Sequence, residues 1–237
     1  MPVVAAAVAA ATILAGHSVH GTPIQAVRTG ASDAPRTVLV VGDVHGNERA
    51  GRAVIRLLRR TTPPAGVQVW TVATANPDGE RAGTRHNAHG VDLNRNFPDR
   101  WRPGARGDVF YPGPSVASEP ETKAVQRLVR RLRPDVTVYY HQALDLVNLP
   151  RRNGDRAVVR AYARRARMRA AFLPDLRGTA TGWQNATFPG TTAFVVELPS
   201  GALALAQARR HARAALLSGR EEATTSVRAR VTSSGRW

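Results

Sequence analysis

A chain of 237 residues, 43% of them hydrophobic, is long enough to bury a substantial core and has the composition of a globular protein. It contains no cysteine, which excludes disulfides, thiolate nucleophiles and Cys-ligated metals, so any metal site must be built from His and carboxylates. The formal net charge of +17 is carried by arginine, Lys123 being the only lysine; the arginines run from Arg28 to Arg236 and are densest on predicted helices, where they read as solvated faces.

Residues 2–15, PVVAAAVAAATILA, are apolar and uncharged. The run is shorter than the ~20 residues of a membrane-spanning helix. It resembles the apolar part of a secretory signal peptide, although no basic residue precedes it. Residues 1–15 are therefore expected to form a leader, which points to a secreted or cell-envelope protein, with a cytoplasmic location as the alternative. Residues 16–30 suggest a short edge hairpin around a Gly-Thr-Pro turn. Thr37 to Val41, ending at Gly42, is a continuous apolar run that fits a strand buried on both faces.

A helix is expected over 48–60, with Ala50, Val54, Leu57 and Leu58 at helical spacing. TTPPAG at 61–66 breaks it, and a strand follows at 67–72. Residues 73–117 are rich in Asn, Gly, Pro and Asp, and so long a loop in a compact domain is usually functional. Ser118 as N-cap, Pro120 in the first turn and Glu121 three residues on predict a helix to about Arg133, stopped by Pro134. A strand over 136–140, a helix over about 155–171, a loop over 172–191, a strand over 193–197 and a helix over 202–217 complete the domain. The Ser-, Thr-, Arg- and Gly-rich residues 218–237 are expected to be a disordered tail, which leaves 16–217 as one folded domain.

Strands alternating with helices predict an α/β fold with a largely parallel sheet. In such sheets ligands bind at the carboxyl ends of strands. His45, His141 and Glu197 all fall at expected strand ends. His45-Gly46-Asn47-Glu48 places an imidazole and a carboxylate three residues apart at a strand-to-helix junction, and catalytic zinc uses such His and carboxylate sets with one position open. Read on its own, the same Glu48 could simply complement a helix dipole. His86 and His89 form an alternative H-x-x-H pair in the loop. His17, His20 and His211 have no partner near them in sequence.

Four ordered segments, VVGDVHGNERAG at 40–51, NPDGERAGTRHNAHGVDLNRNFP at 76–98, GPSVASEPETKA at 113–124 and GTTAFVVELPSG at 190–201, resemble the zinc metallocarboxypeptidases, the carboxypeptidase A-like hydrolases. The look is that of short bacterial members of the murein tripeptide amidase type, and it extends over roughly residues 16–217. The resemblance implies a three-layer α/β/α fold with a mixed, mostly parallel central sheet. It implies one Zn²⁺ ion held by His45, Glu48 and His141, with Glu197 as general base and Arg85 polarising the scissile carbonyl. Asn94 and Arg95 would grip the substrate's terminal carboxylate.

One departure stands out. Larger members carry a covering tyrosine upstream of the catalytic glutamate, and the matching region here reads LPDLRG, with Tyr162 only on the preceding helix. Thr181, near the specificity pocket implied by the resemblance, is small and polar and selects neither basic nor large apolar side chains. The implied activity is hydrolysis of a peptide or isopeptide bond beside a free carboxylate. The implied partner is a peptide or a cell-wall stem peptide, on a monomer with no integral membrane span and no specific nucleic acid. A basic nucleic-acid-binding module or a non-catalytic peptide-binding relative is the competing reading.

Overall fold

The computed structural model describes residues 11–220; residues 1–10 of the expected leader and 221–237 of the expected tail lie outside the described residues. The strands are β1 (Thr12–His17), β2 (Pro23–Thr29), β3 (Arg36–Val41), β4 (Val67–Val72), β5 (Val136–Gln142), β6 (Leu146–Asn148), β7 (Arg169–Ala171) and β8 (Thr192–Leu198). The helices are α1 (Gly51–Leu58), α2 (Pro77–Ala82), α3 (Pro120–Leu132), α4 (Arg156–Ala166), α5 (Ala180–Thr187) and α6 (Leu205–Ser218), with a 3₁₀ turn at Leu93–Arg95.

The strands form one sheet in the order β1-β2-β4-β3-β5-β8-β6-β7. Its centre, β4-β3-β5-β8, is parallel. The β1-β2, β2-β4 and β6-β8 pairs are antiparallel. Alternation along β3 divides the core. Val38 and Val40 face a layer containing Val54, Ile55 and Leu58 of α1, Tyr162 of α4 and Ala212 of α6. Leu39 and Val41 face Val125 and Leu128 of α3 and Trp183 of α5. The period of two along a strand puts successive side chains into opposite layers, and the result is the expected three-layer α/β/α fold with a mixed sheet.

The chain leaves β3 toward β4 on one side and returns to β5 on the other. That reversal opens a crevice at the carboxyl ends of β3 and β5, the usual place for a ligand in an open sheet.

Several elements depart from expectation. Residues 12–15, read as leader, belong to β1, where Thr12 pairs with Val27 and Ile13 with Ala26. α1 begins at Gly51, so Glu48 stands in the preceding turn, whose Glu48 N–H donates to the His45 carbonyl. α3 starts without a side-chain cap from Ser118. Glu121 is buried instead, accepting from the Val19 N–H and from Asn87. The helix expected to run to 171 stops at Ala166, because Arg167 turns left-handed (φ 58°) and its N–H caps Ala163 and Arg164. The following residues then pair with β6 as a short strand.

The long loop is ordered by its own polar side chains. Asn76 accepts from Gly79 N–H and caps α2. Asn87 accepts from the N–H groups of His89 and Val91. Asn96 donates to the carbonyls of Pro112 and Ser115. Buried backbone groups need partners, and here short amides supply them where no helix or strand does.

Candidate metal centre and active site

The turn after β3 and the end of β5 bring His45, Glu48 and His141 together, and one donor atom from each lies within 4.8 Å of the others. His45 Nδ1 is 2.8 Å from Glu48 Oε1, and His141 Nδ1 is 2.9 Å from Glu48 Oε2. The two Nδ1 atoms are 3.1 Å apart, and all three residues are buried. Gln142 N–H donates to Glu48 Oε2, which fixes the carboxylate.

On its far side His45 Nε2 lies 3.1 Å from Asp92 Oδ1. When Nε2 donates its proton to that carboxylate, Nδ1 presents a lone pair toward the cluster. A lone pair facing another imidazole nitrogen and a carboxylate is repulsive unless a proton or a cation sits between them. The donor set, two imidazoles and one carboxylate, is one that catalytic zinc uses, and the second carboxylate behind the histidine is the usual device that orients such a ligand. The residues therefore fit a single small cation.

The electrostatics agree. Burial opposes a charged Glu48, but His141 and His45 outweigh it and hold the carboxyl well below its ordinary range. Burial likewise opposes charge on Asp92, and His45, Arg85 and Arg95 outweigh it. For His45 the hydrogen bonds to Asp92 and Glu48 overcome burial and raise the imidazole above its usual value.

Glu197 is on β8, directly in register with His141 on the neighbouring parallel strand. Among the described residues its Oε2 has no hydrogen-bond partner. Burial pushes its carboxyl above the ordinary range, the nearby Glu48 charge adds to this, and His141, His45 and Arg85 act against it. A half-buried, unpartnered carboxyl with a raised pKa is suited to proton transfer near neutral pH.

Arg85 reaches the cluster from the loop. Its guanidinium donates to Asp92 Oδ2 at 2.8 and 3.1 Å and lies 3.5 Å from Glu48 Oε1. Asn94 N–H is held by Asp92 Oδ1, and Asn94 Oδ1 accepts from Ala180 N–H at the start of α5. Asn94 and Glu197 line the same cavity. Arg95 donates to the Asn94 carbonyl, so the pair expected to bind a carboxylate is contiguous but turned partly onto itself.

The alternative histidine pair does not converge. His86 Nε2 meets the Val109 carbonyl and His89 Nδ1 meets Glu119. Tyr162 is buried in α4, bonded to Tyr140 and His211, and covers nothing. His20 lies 3.8 Å from Asp78.

Three residues near the site escaped the sequence reading. Phe110 is 52% exposed, with its ring 5.4 Å from the Arg85 guanidinium carbon and 5.0 Å from that of Arg95. Asp99, in the N-F-P-D segment, lines the cavity with Glu197. Asp43, two residues before His45, is buried, and neither of its oxygens is hydrogen-bonded among the described residues; burial raises its pKa to about 7 against the pull of Arg52. The sequence carried a signal only for Asp43, an acid beside a candidate ligand.

The zinc carboxypeptidase family profile matches residues 7–181. Murein peptide amidase A of Escherichia coli strain K12 is 34% identical over 148 residues, covering 57% of this chain; the match spans 61% of that amidase's length. Carboxypeptidase SOL1 of Arabidopsis thaliana is 30% identical over 151 residues, covering 57% of this chain and 29% of that protein. The crystal structure of the murein-tripeptide amidase of Escherichia coli O157 superposes with a TM-score of 0.71 at 24% identity, over 92% of this chain and 94% of that one. Carboxypeptidase A of Helicoverpa armigera gives 0.72 at 17% identity, over 90% and 70%. With the fold, the ligand-like triad and the profile in agreement, the chain belongs to the zinc carboxypeptidase family.

Proposed function

We propose that this chain is a zinc-dependent carboxypeptidase or amidase that hydrolyses a peptide or isopeptide bond beside a free carboxylate. The reading rests above all on one observation: three donor atoms from His45, Glu48 and His141 within 4.8 Å, with Glu197 in register beside His141. One zinc ion is assigned to those three residues. Zinc bound there would supply Lewis-acid polarisation of the scissile carbonyl and a lowered pKa for water.

The chain's own residues do the rest. Glu197 takes a proton from the attacking water at its free Oε2 and passes it to the leaving amine nitrogen. The Arg85 guanidinium, aimed at the cluster from the loop, stabilises the oxyanion that develops on the carbonyl oxygen. Arg95 offers a planar fork to the substrate's carboxylate and Asn94 adds a neutral amide donor. For this, Arg95 must exchange its bond to the Asn94 carbonyl for the ligand, with Phe110 stacked above it in place of a covering tyrosine. Such a clamp restricts cleavage to bonds next to a free carboxylate.

The proposed substrate is a cell-wall stem peptide. The 34% identity to a murein peptide amidase supports it, and a net charge of +17 suits an anionic envelope polymer. A secreted or envelope location and action as a monomer belong to the same proposal. Among the described residues no helix is long and apolar enough to cross a membrane. The catalytic unit is proposed to include β1 from Thr12 as well as the expected 16–217.

Glu197→Gln tests the reading. The substitution is expected to lower kcat by about 10²–10⁴-fold while zinc content is unchanged. Release of the terminal residue at the wild-type rate would refute it.

A further inference from the structure

One outer layer of the fold is charged with a single sign. In it α6 packs against both α1 and α4. Apolar residues such as Ile55, Val159 and Ala212 turn toward the sheet. Between their ends the three helices contain nine arginines and no acid. Arg56, Arg160, Arg164, Arg209 and Arg213 are exposed, and among the described residues none of the five is ion-paired.

A helix face that only needs solvation normally mixes signs, because like charges four residues apart destabilise the helix. Here Arg156–Arg160, Arg160–Arg164 and Arg209–Arg213 are all such pairs. The helix dipole accounts for Arg56 and Arg164, which lie in last turns. It opposes Arg156 at the first position of α4, and it is indifferent to Arg160, Arg209 and Arg213 in mid-helix. On α1 the repulsion is concentrated. Arg49, Arg52, Arg56 and Arg59 line a cleft of about 390 Å³ with Ile55 and Ala73. Arg52 pairs with Glu80 and lies 3.8 Å from Asp43, and Arg59 bonds Thr71, which leaves Arg56 uncompensated. Burial, with the charge of Arg52 added, lowers the pKa of Arg59.

We infer that this layer is a docking surface for a linear phosphodiester polymer without bases, separate from the catalytic crevice. None of its arginines lines the cavity with Glu197. Guanidinium forks match phosphate oxygens bidentately. The 14 residues of α6 make it about 20 Å long, so the face spans several repeats of an extended chain. Many weak contacts on one chain add up to retention. The chemistry of the face selects among polyanions. Single-stranded nucleic acid needs exposed rings for its bases, and the one aromatic of the three helices, Tyr162, is buried. A bilayer needs a broad apolar face to take up, and only Leu205 exposes a large apolar side chain here. A polyol or sugar phosphate chain asks for neither. Docked along the helices, it would hold the enzyme on its matrix and leave the crevice open.

The test measures calorimetric binding of the full, zinc-loaded chain to a short glycerol-phosphate polymer, to an oligothymidylate of equal charge and to phosphatidylglycerol vesicles. Arg160→Glu with Arg213→Glu reverses two exposed charges on the layer. Both changes turn repulsive pairs into attractive ones, with Arg156, Arg164 and Arg209, so Tm should not fall. Lys123→Glu with Arg131→Glu makes the same change of charge at exposed positions of α3, on the opposite layer. Wild type should bind the glycerol-phosphate polymer more tightly than the other two probes, and more weakly as salt rises. Affinity should drop at least tenfold in the α4–α6 variant and less than twofold in the α3 variant, with turnover of a soluble peptide unchanged in both. Equal losses in the two variants would reduce the effect to net charge and overturn the inference. So would no binding by wild type, or tighter binding of the oligothymidylate or the vesicles. Binding is read without turnover, so the result stands whether or not the hydrolytic reading holds.

Discussion

Asp92 Oδ1 lies 3.1 Å from His45 Nε2, while Asp92 Oδ2 takes two bonds from Arg85. One carboxylate thus couples the tautomer of a proposed metal ligand to the position of the proposed oxyanion-stabilising arginine. Asp92→Asn keeps the size of the side chain but removes its charge. It is expected to weaken zinc affinity by about 10–100-fold, measured by chelator competition, and to lower kcat through Arg85. An affinity within twofold of wild type would reduce Asp92 to a loop anchor holding Asn94 N–H.

Gly46 separates His45 from Glu48 where the turn presses on α2. A Cβ at 46 would stand 2.0 Å from the Gly79 carbonyl carbon and 2.2 Å from the Glu80 nitrogen, both backbone atoms. Because backbone cannot rotate aside, Gly46→Ala must move the turn or α2. We expect a loss on the order of 3 kcal/mol in denaturant unfolding together with weakened zinc binding. Stability and zinc affinity both equal to wild type would show that the turn tolerates a side chain.

His211 predicts an acid-sensitive core. It is buried on α6, its Nδ1 2.9 Å from Tyr162 OH, which is 2.8 Å from Tyr140 OH. Burial, with the charge of Arg210, lowers its pKa to about 4. The unfolded chain takes up this proton near 6.5, so between those values the unfolded state binds more protons and stability falls as pH falls. The slope is about 1.4 kcal/mol per pH unit, reaching on the order of 3 kcal/mol at pH 4; above about 6.5 the contribution of His211 no longer changes with pH. His211→Gln should flatten the wild-type curve between pH 7 and 4. A variant curve parallel to wild type over that range would contradict the assignment.

The parts of the site that the sequence made legible are those placed by local geometry. Val38 to Val41 reads as a strand buried on both faces, so His45 and Glu48 had to emerge at its end. The same logic placed His141 and Glu197, whose register across β5 and β8 follows from two short parallel strands. Arg85, Asn94 and Arg95 came from resemblance alone, because nothing periodic positions a loop residue. Asp99 and Phe110 were illegible for a related reason: their partners, Gly182 for the one and Arg85 and Arg95 for the other, are set by how loops fold over the crevice. The end of α4 was misread because M-R-A-A continues a helical composition, whereas the left-handed turn at Arg167 and pairing with β6 decide its conformation.

The most direct measurement is the zinc content of the purified chain and of His141→Ala by atomic absorption. The triad predicts one zinc per wild-type chain and a content near zero in the variant, with the fold retained. Zinc bound equally by both, or by neither after zinc is supplied, would contradict the assignment of the metal to His45, Glu48 and His141.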